Sequence, residues 1–145
     1  MTKRIIADAH AHIFPQKIAD KAVGAIGAFY DIPMDHRGLS EALLESGSAI
    51  GASKYLVCST ATTPAQVRSI NDFIAEECRK HSQFLGFGTL HPDYEDPAGE
   101  VVRIAALGLH GVKLHPDFQK FNIDDPRMLP AYKKMADKGL PVLFH

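Results

Sequence analysis

Two histidines one residue apart, His10 and His12, close the first apolar run of the chain, in Asp8-Ala9-His10-Ala11-His12. If Ile5, Ile6 and Ala7 open a buried β-strand, alternation puts Asp8, His10 and His12 on one face. Ala7, Ala9, Ala11 and Ile13 then take the other. Two imidazoles side by side at a strand end are poor core material and good metal ligands. A neutral imidazole offers one lone pair, and the pleat fixes the separation. The same spacing also suits a pair of hydrogen-bonded core histidines, and His-x-His alone does not choose between them.

Other polar residues recur at corresponding places. The predicted strands end on His12, Thr60, His91, His115 and His145. In parallel α/β folds, sites form at the C-terminal ends of strands. In Gly111-Val112-Lys113-Leu114-His115, Lys113 and His115 share a face. A lysine under the helix layer without a partner would cost several kcal/mol, on the order of. Val112 and Leu114 are therefore expected against the helices, with Lys113 and His115 toward a barrel centre. The same parity points Leu143 and His145 inward. Asp8, His10, His12, Thr89, His91, Lys113, His115 and His145 are then expected to converge on one mouth.

The elements that must position these residues alternate. A helix over 16–29 and a long connection broken by Pro33 and Gly38 follow the first strand. Asp35-His36-Arg37 sits there, as a solvated turn or a substrate contact. Ser40 is placed to cap a helix over 41–49. Strand 54–60 precedes a capping box, Thr63-Pro64-Ala65-Gln66, and a helix to about Lys80. Strands at 84–90, 111–115 and 141–145 alternate with helices opened by Asp96-Pro97 and Asp125-Pro126. Pro130 predicts a kink or restart. Beyond the first insertion the period is roughly 30 residues, the size of a strand plus its crossover helix. The pattern predicts an α/β protein with a parallel sheet, either doubly wound or a (β/α)₈ barrel. No glycine-rich phosphate loop follows any strand.

Three segments together resemble the amidohydrolase superfamily: residues 8–15 (DAHAHIFP), 111–116 (GVKLHP) and 139–145 (GLPVLFH). They are most similar to its amidohydrolase-related branch, which includes aminocarboxymuconate-semialdehyde decarboxylase. The resemblance implies a distorted (β/α)₈ barrel of TIM type, a divalent metal, commonly zinc, and His10, His12 and His145 as its ligands. It implies hydrolysis or decarboxylation of a small carboxylated molecule. Lys113 is open to three roles: a carboxylated bridge between two metals, a grip on a substrate anion, or a partner for a carboxylate. His115 and His91 are expected to touch substrate or to hydrogen-bond loop backbone, and Asp8 to orient a ligand histidine.

A (β/α)₈ barrel needs ~250 residues, and 145 residues supply about five strands. Residues 1–145 are thus expected to be the N-terminal part of one barrel domain. The family's strand-six histidine and strand-eight aspartate are absent, so no catalytic residue is assigned and this chain by itself is expected to be silent. The competing reading is a non-catalytic partial barrel that binds a metal or a partner. Unpaired edges on strands one and five predict self-association.

The totals fit a globular protein: 46% hydrophobic, 23% charged and a net charge of −1. With no basic run, neither nucleic acid nor an anionic membrane is expected as a partner. The two cysteines, Cys58 and Cys78, form no disulfide framework and read as small buried hydrophobes. The expected location is cytoplasmic.

Overall fold

A computed structural model describes residues 4–145. Five strands form one parallel sheet in the order in which they occur: β1 (Ile6–His12), β2 (Ala52–Cys58), β3 (Phe84–Thr89), β4 (Gly111–Leu114) and β5 (Val142–Phe144). Each strand lies beside the next, which is the arrangement of one arc of a β/α barrel. β1 and β5 each have a neighbour on one side only. The helices are α1 (Ala19–Tyr30), α2 (Ser40–Ala49), α3 (Val67–Lys80), α4 (Pro97–Ala106), the single turn α5 (Pro116–Gln119) and α6 (Leu129–Lys138). No helix among the described residues is long and apolar enough to cross a membrane.

One face of the sheet packs under α3, α4 and α6. Val57, Val112 and Leu114 meet Val67 and Ile74 of α3, Val101 and Ile104 of α4, and Ala131 and Met135 of α6 in one buried cluster. Val142 and Phe144 pack against it from β5. The residues between them, Cys58, Lys113 and Leu143, face the opposite way, into the barrel. Gly86 lets α3 approach β3: a Cβ there would come within 2.8 Å of Cys78 Sγ, Leu109 Cδ2 and Ile74 Cγ2.

Local chemistry explains the helix starts. Thr63 and Gln66 form the expected capping box, ahead of a short 3₁₀ turn that runs into α3. Asp96 accepts the Gly99 N–H at the start of α4. The stretch after Asp125 does restart: a 3₁₀ turn over Pro126–Met128 hands over to α6, with Pro130 in its first turn. Ser40 departs from expectation. Leu39 is the α2 N-cap and no side chain caps it. The Ser40 hydroxyl donates instead to Glu77 Oε2, 2.5 Å away on α3, because a buried carboxylate is the stronger acceptor.

Two buried side chains tie the strand ends together. Asn71 of α3 accepts the Thr89 N–H (2.7 Å) and donates to Thr89 O (3.0 Å) and to Glu100 Oε1 of α4 (2.7 Å). Gln119 of α5 donates to Ala61 O (2.8 Å) and Leu90 O (2.5 Å) and accepts the His115 N–H (2.8 Å). The segments following β2, β3 and β4 thus meet on one amide.

Candidate metal centre

β1 is not a simple strand where the histidines lie. Asp8 pairs with Tyr55 and Ala11 with Val57, so three steps on β1 match two on β2. This bulge breaks the strict alternation expected for Asp8, His10 and His12. Beyond it, Ala11 and Ile13 go to the core and His12 to the interior. Asp8 acts through the backbone: its Oδ1 accepts the His10 N–H at 3.0 Å. The bulge still brings the two rings together, with Nε2 of His10 and Nε2 of His12 3.0 Å apart.

Both rings are held neutral. Burial, helped by His10 and Lys113, pushes His12 down to about 3. Burial and then Lys113 lower His10. A neutral imidazole is the ligand form of histidine, and here the two Nε2 atoms share one hydrogen bond that a metal would replace. A tetrahedral zinc with Zn–N of about 2.05 Å would set two such nitrogens about 3.3 Å apart. The donor set therefore fits a divalent metal.

Lys113 lies behind this pair. It is fully buried, and its Nζ has no hydrogen-bond partner among the described residues. Burial lowers its ammonium from the usual lysine range. Its charge reaches His10, His12 and His115, which places it on the interior side with them.

His115 and His145 stack on each other, ring centroids 4.3 Å apart. His115 Nδ1 accepts the Phe118 N–H at the start of α5. Its proton is then on Nε2, 2.9 Å from the Tyr30 hydroxyl. The Tyr30 hydroxyl is also hydrogen-bonded to His145 Nε2 at 2.8 Å. It bridges the two rings. The His145 ring stands 5.8 Å from that of His10. Burial, then His145 and Lys113, push His115 down to about 4.

His91 takes the loop-backbone role of the two expected for it. Its Nδ1 accepts the Asp93 N–H at 3.1 Å, and the charges that reach it are Asp93 and Arg127. It organises the loop after β3. Thr89 is likewise spent on structure, its Oγ1 accepting the Ala61 N–H. In the long connection, Asp20 takes up the Arg37 guanidinium through two contacts of 2.5 and 3.0 Å.

Two residues of the site escaped the sequence reading. Tyr30 ends α1 and reaches the histidines because that helix folds back over the strand ends. No local pattern announces this. Cys58 was readable: it is the last residue of β2 and pairs laterally with His12. Its Sγ and the ring nitrogens of His10 and His12 lie within 4.8 Å of one another.

A family model described as "Amidohydrolase" matches residues 7–145. No curated protein matches the chain by sequence. Among solved structures, 5-carboxyvanillate decarboxylase from Novosphingobium aromaticivorans, with bound manganese and 3-methoxy-4-hydroxy-5-nitrobenzoic acid, is similar with a TM-score of 0.77 at 20% identity, over 97% of this chain and 50% of its own. A 2,6-dihydroxybenzoate decarboxylase complexed with 2,6-dihydroxybenzoate gives 0.65 at 21% identity, over 100% and 50%. A probable 2-pyrone-4,6-dicarboxylic acid hydrolase from Acinetobacter baumannii, with citric acid bound, gives 0.63 at 14%, over 98% and 49%. The chain spans about half the length of these structures. Their likeness establishes the fold, five parallel strands of a TIM-type half-barrel.

Proposed function

Because the chain belongs to the amidohydrolase family, we propose that His10 and His12 are the core of a divalent metal centre, with His145 as a further ligand and zinc as the metal. The observation that carries this reading is the 3.0 Å approach of the two Nε2 atoms at a strand end. Residues 1–145 act in it as the N-terminal part of one barrel domain. The free thiols of Cys58 and Cys78 suit a reducing, cytoplasmic setting.

The reaction we favour is decarboxylation of a small aromatic carboxylate, with hydrolysis as the second reading. A bound metal would supply Lewis-acid polarisation of an oxygen and charge stabilisation. The chain's own residues do the rest. Lys113, buried and without a partner, offers its Nζ to an anionic group. Phe29 and Phe118, 4.5 Å apart edge to face, and the His115 ring stacked on Phe118 form an aromatic wall beside the histidines. Tyr30 holds a proton between His115 and His145. The names of two solved relatives support the carboxylate class, since both are decarboxylases of aromatic acids.

The test is metal content after dialysis against trace zinc. The expected result is about one equivalent in the wild type and loss of it in His10→Ala/His12→Ala. Equal metal in both proteins would overturn the assignment. Carbon dioxide release from dihydroxybenzoate-type acids by the loaded chain then separates turnover from binding alone.

A further inference from the structure

A dication between two neutral imidazoles faces an electrostatic problem here. The Lys113 amine, buried and unpartnered, is near enough to act on both rings. His10 is exposed and His12 half-buried, but the Lys113 amine beside them is fully buried, and positive charge gathered next to it is costly unless an anion joins it. Asp8 sits before the bulge, and its Oδ1 is occupied by the His10 N–H.

Cys58 is placed to meet the requirement once a metal displaces its proton; without one, burial pushes the thiol up to about 12. It lies directly across from His12 in the β1–β2 register, and parallel partners project to the same face. It is fully buried, and its Sγ is within 4.8 Å of both histidine nitrogens. The one hydrogen bond it makes is weak: the thiol donates to Ala11 O at 3.6 Å. The other thiol, Cys78, sits on the helix side of β3 near Gly86, on the opposite face of the sheet.

We propose that Cys58 is the thiolate donor of this centre, adding a thiolate to the imidazoles of His10, His12 and His145. The inference rests on reading the histidine pair as a metal site and adds its charge and its selectivity. On binding, the Cys58 S–H bond breaks and its proton passes to buffer. The electron pair left on Sγ forms the metal–sulfur bond, and nothing is oxidised or reduced. A thiolate favours zinc and cobalt over manganese, which prefers oxygen donors.

The experiment is titration of the reduced, metal-free chain with Co(II), followed by absorption. The expected wild-type spectrum contains an ultraviolet thiolate-to-cobalt charge-transfer band together with visible ligand-field bands. Cys78→Ser keeps both. Cys58→Ser loses the charge-transfer band and binds Co(II) at least about tenfold more weakly, with its fold checked by circular dichroism. The wild-type spectrum alone is decisive if that variant does not fold. Visible bands without charge transfer would overturn the thiolate while leaving the histidine pair a metal site. Absence of any cobalt signal that depends on His10 and His12 would overturn both.

Discussion

The hydroxyl of Tyr30 is hydrogen-bonded to Nε2 of His145 across 2.8 Å, joining residues 115 positions apart. This is the ring nitrogen that His145 would offer to a metal, so Tyr30 competes for it. Tyr30→Phe removes the competitor. One hydrogen bond is worth about 1 kcal/mol, or about fivefold in affinity. The expected outcome is zinc binding about fivefold tighter, read by chelator competition. An unchanged affinity would mean that His145 has no place in the metal shell.

Lys113→Met should separate stability from recognition. The variant removes a buried amine with no partner and puts in a side chain of similar length. Such exchanges are neutral or stabilising, by about 1 kcal/mol. The melting temperature should hold or rise. Affinity for a benzoate-type ligand, measured by calorimetry, should fall at least about tenfold. A large loss of stability would show that Lys113 has a structural partner.

Acid should destabilise the metal-free protein earlier than ordinary carboxylate titration would. His12 is held at about 3 in the fold and has an unfolded value of 6.5. His115 is held at about 4. Between these values and 6.5 the unfolded chain carries protons that the native rings refuse. Stability is therefore complete above pH 6.5 and drains away as pH falls, by up to about 1.4 kcal/mol per pH unit for each ring. Thermal melts from pH 7.5 to 4.5 test this. His12→Asn should flatten the curve, and an equal slope in that variant would remove His12 as a cause.

Asn71→Ala should be among the more damaging single changes away from the site. It leaves the Thr89 N–H without its acceptor and deprives Glu100 of a donor, all three residues being buried. The expected cost is about 2–4 kcal/mol, seen as a lower urea midpoint at constant m value. A cost under about 0.5 kcal/mol would mean that water replaces the amide.

The open edges of β1 and β5 lead to a prediction of self-association. Ile5 and Ile6 lie exposed beside the first of them. Light scattering at increasing concentration should show dimers or larger species. Charged substitutions such as Ile6→Lys should return the monomer. A monomer at every concentration would show that these edges are self-sufficient.

The parallel order and the inward course of Lys113 were legible because both follow from repeats: a strand–helix period and the two-residue alternation of β4. The bulge at β1 was not, since nothing in Asp8-Ala9-His10 breaks β propensity. It shows only in the register with β2, where Asp8 pairs with Tyr55 and Ala11 with Val57. Of the two roles open to His91, the structure shows the hydrogen bond to loop backbone. A residue one step past the end of β3 is governed by its loop, and Asp93 supplied a nearer backbone partner. Tyr30 illustrates a different limit: its place depends on the path of a long connection, which local spacing does not encode.

Gln119 has a mechanical consequence. One buried amide clamps Ala61, Leu90 and the His115 backbone, so the rim from β2 to β4 can only move as a unit. On the other side of the histidines, the tip of α1 is held over the strand ends through the Tyr30 hydroxyl and its aromatic neighbours. Compliance is thus distributed unevenly around the mouth. A ligand approaching the histidines meets a stiff wall on one flank and, on the other, a latch held by two hydrogen bonds and by the packing of Phe29 and Tyr30 on Phe118.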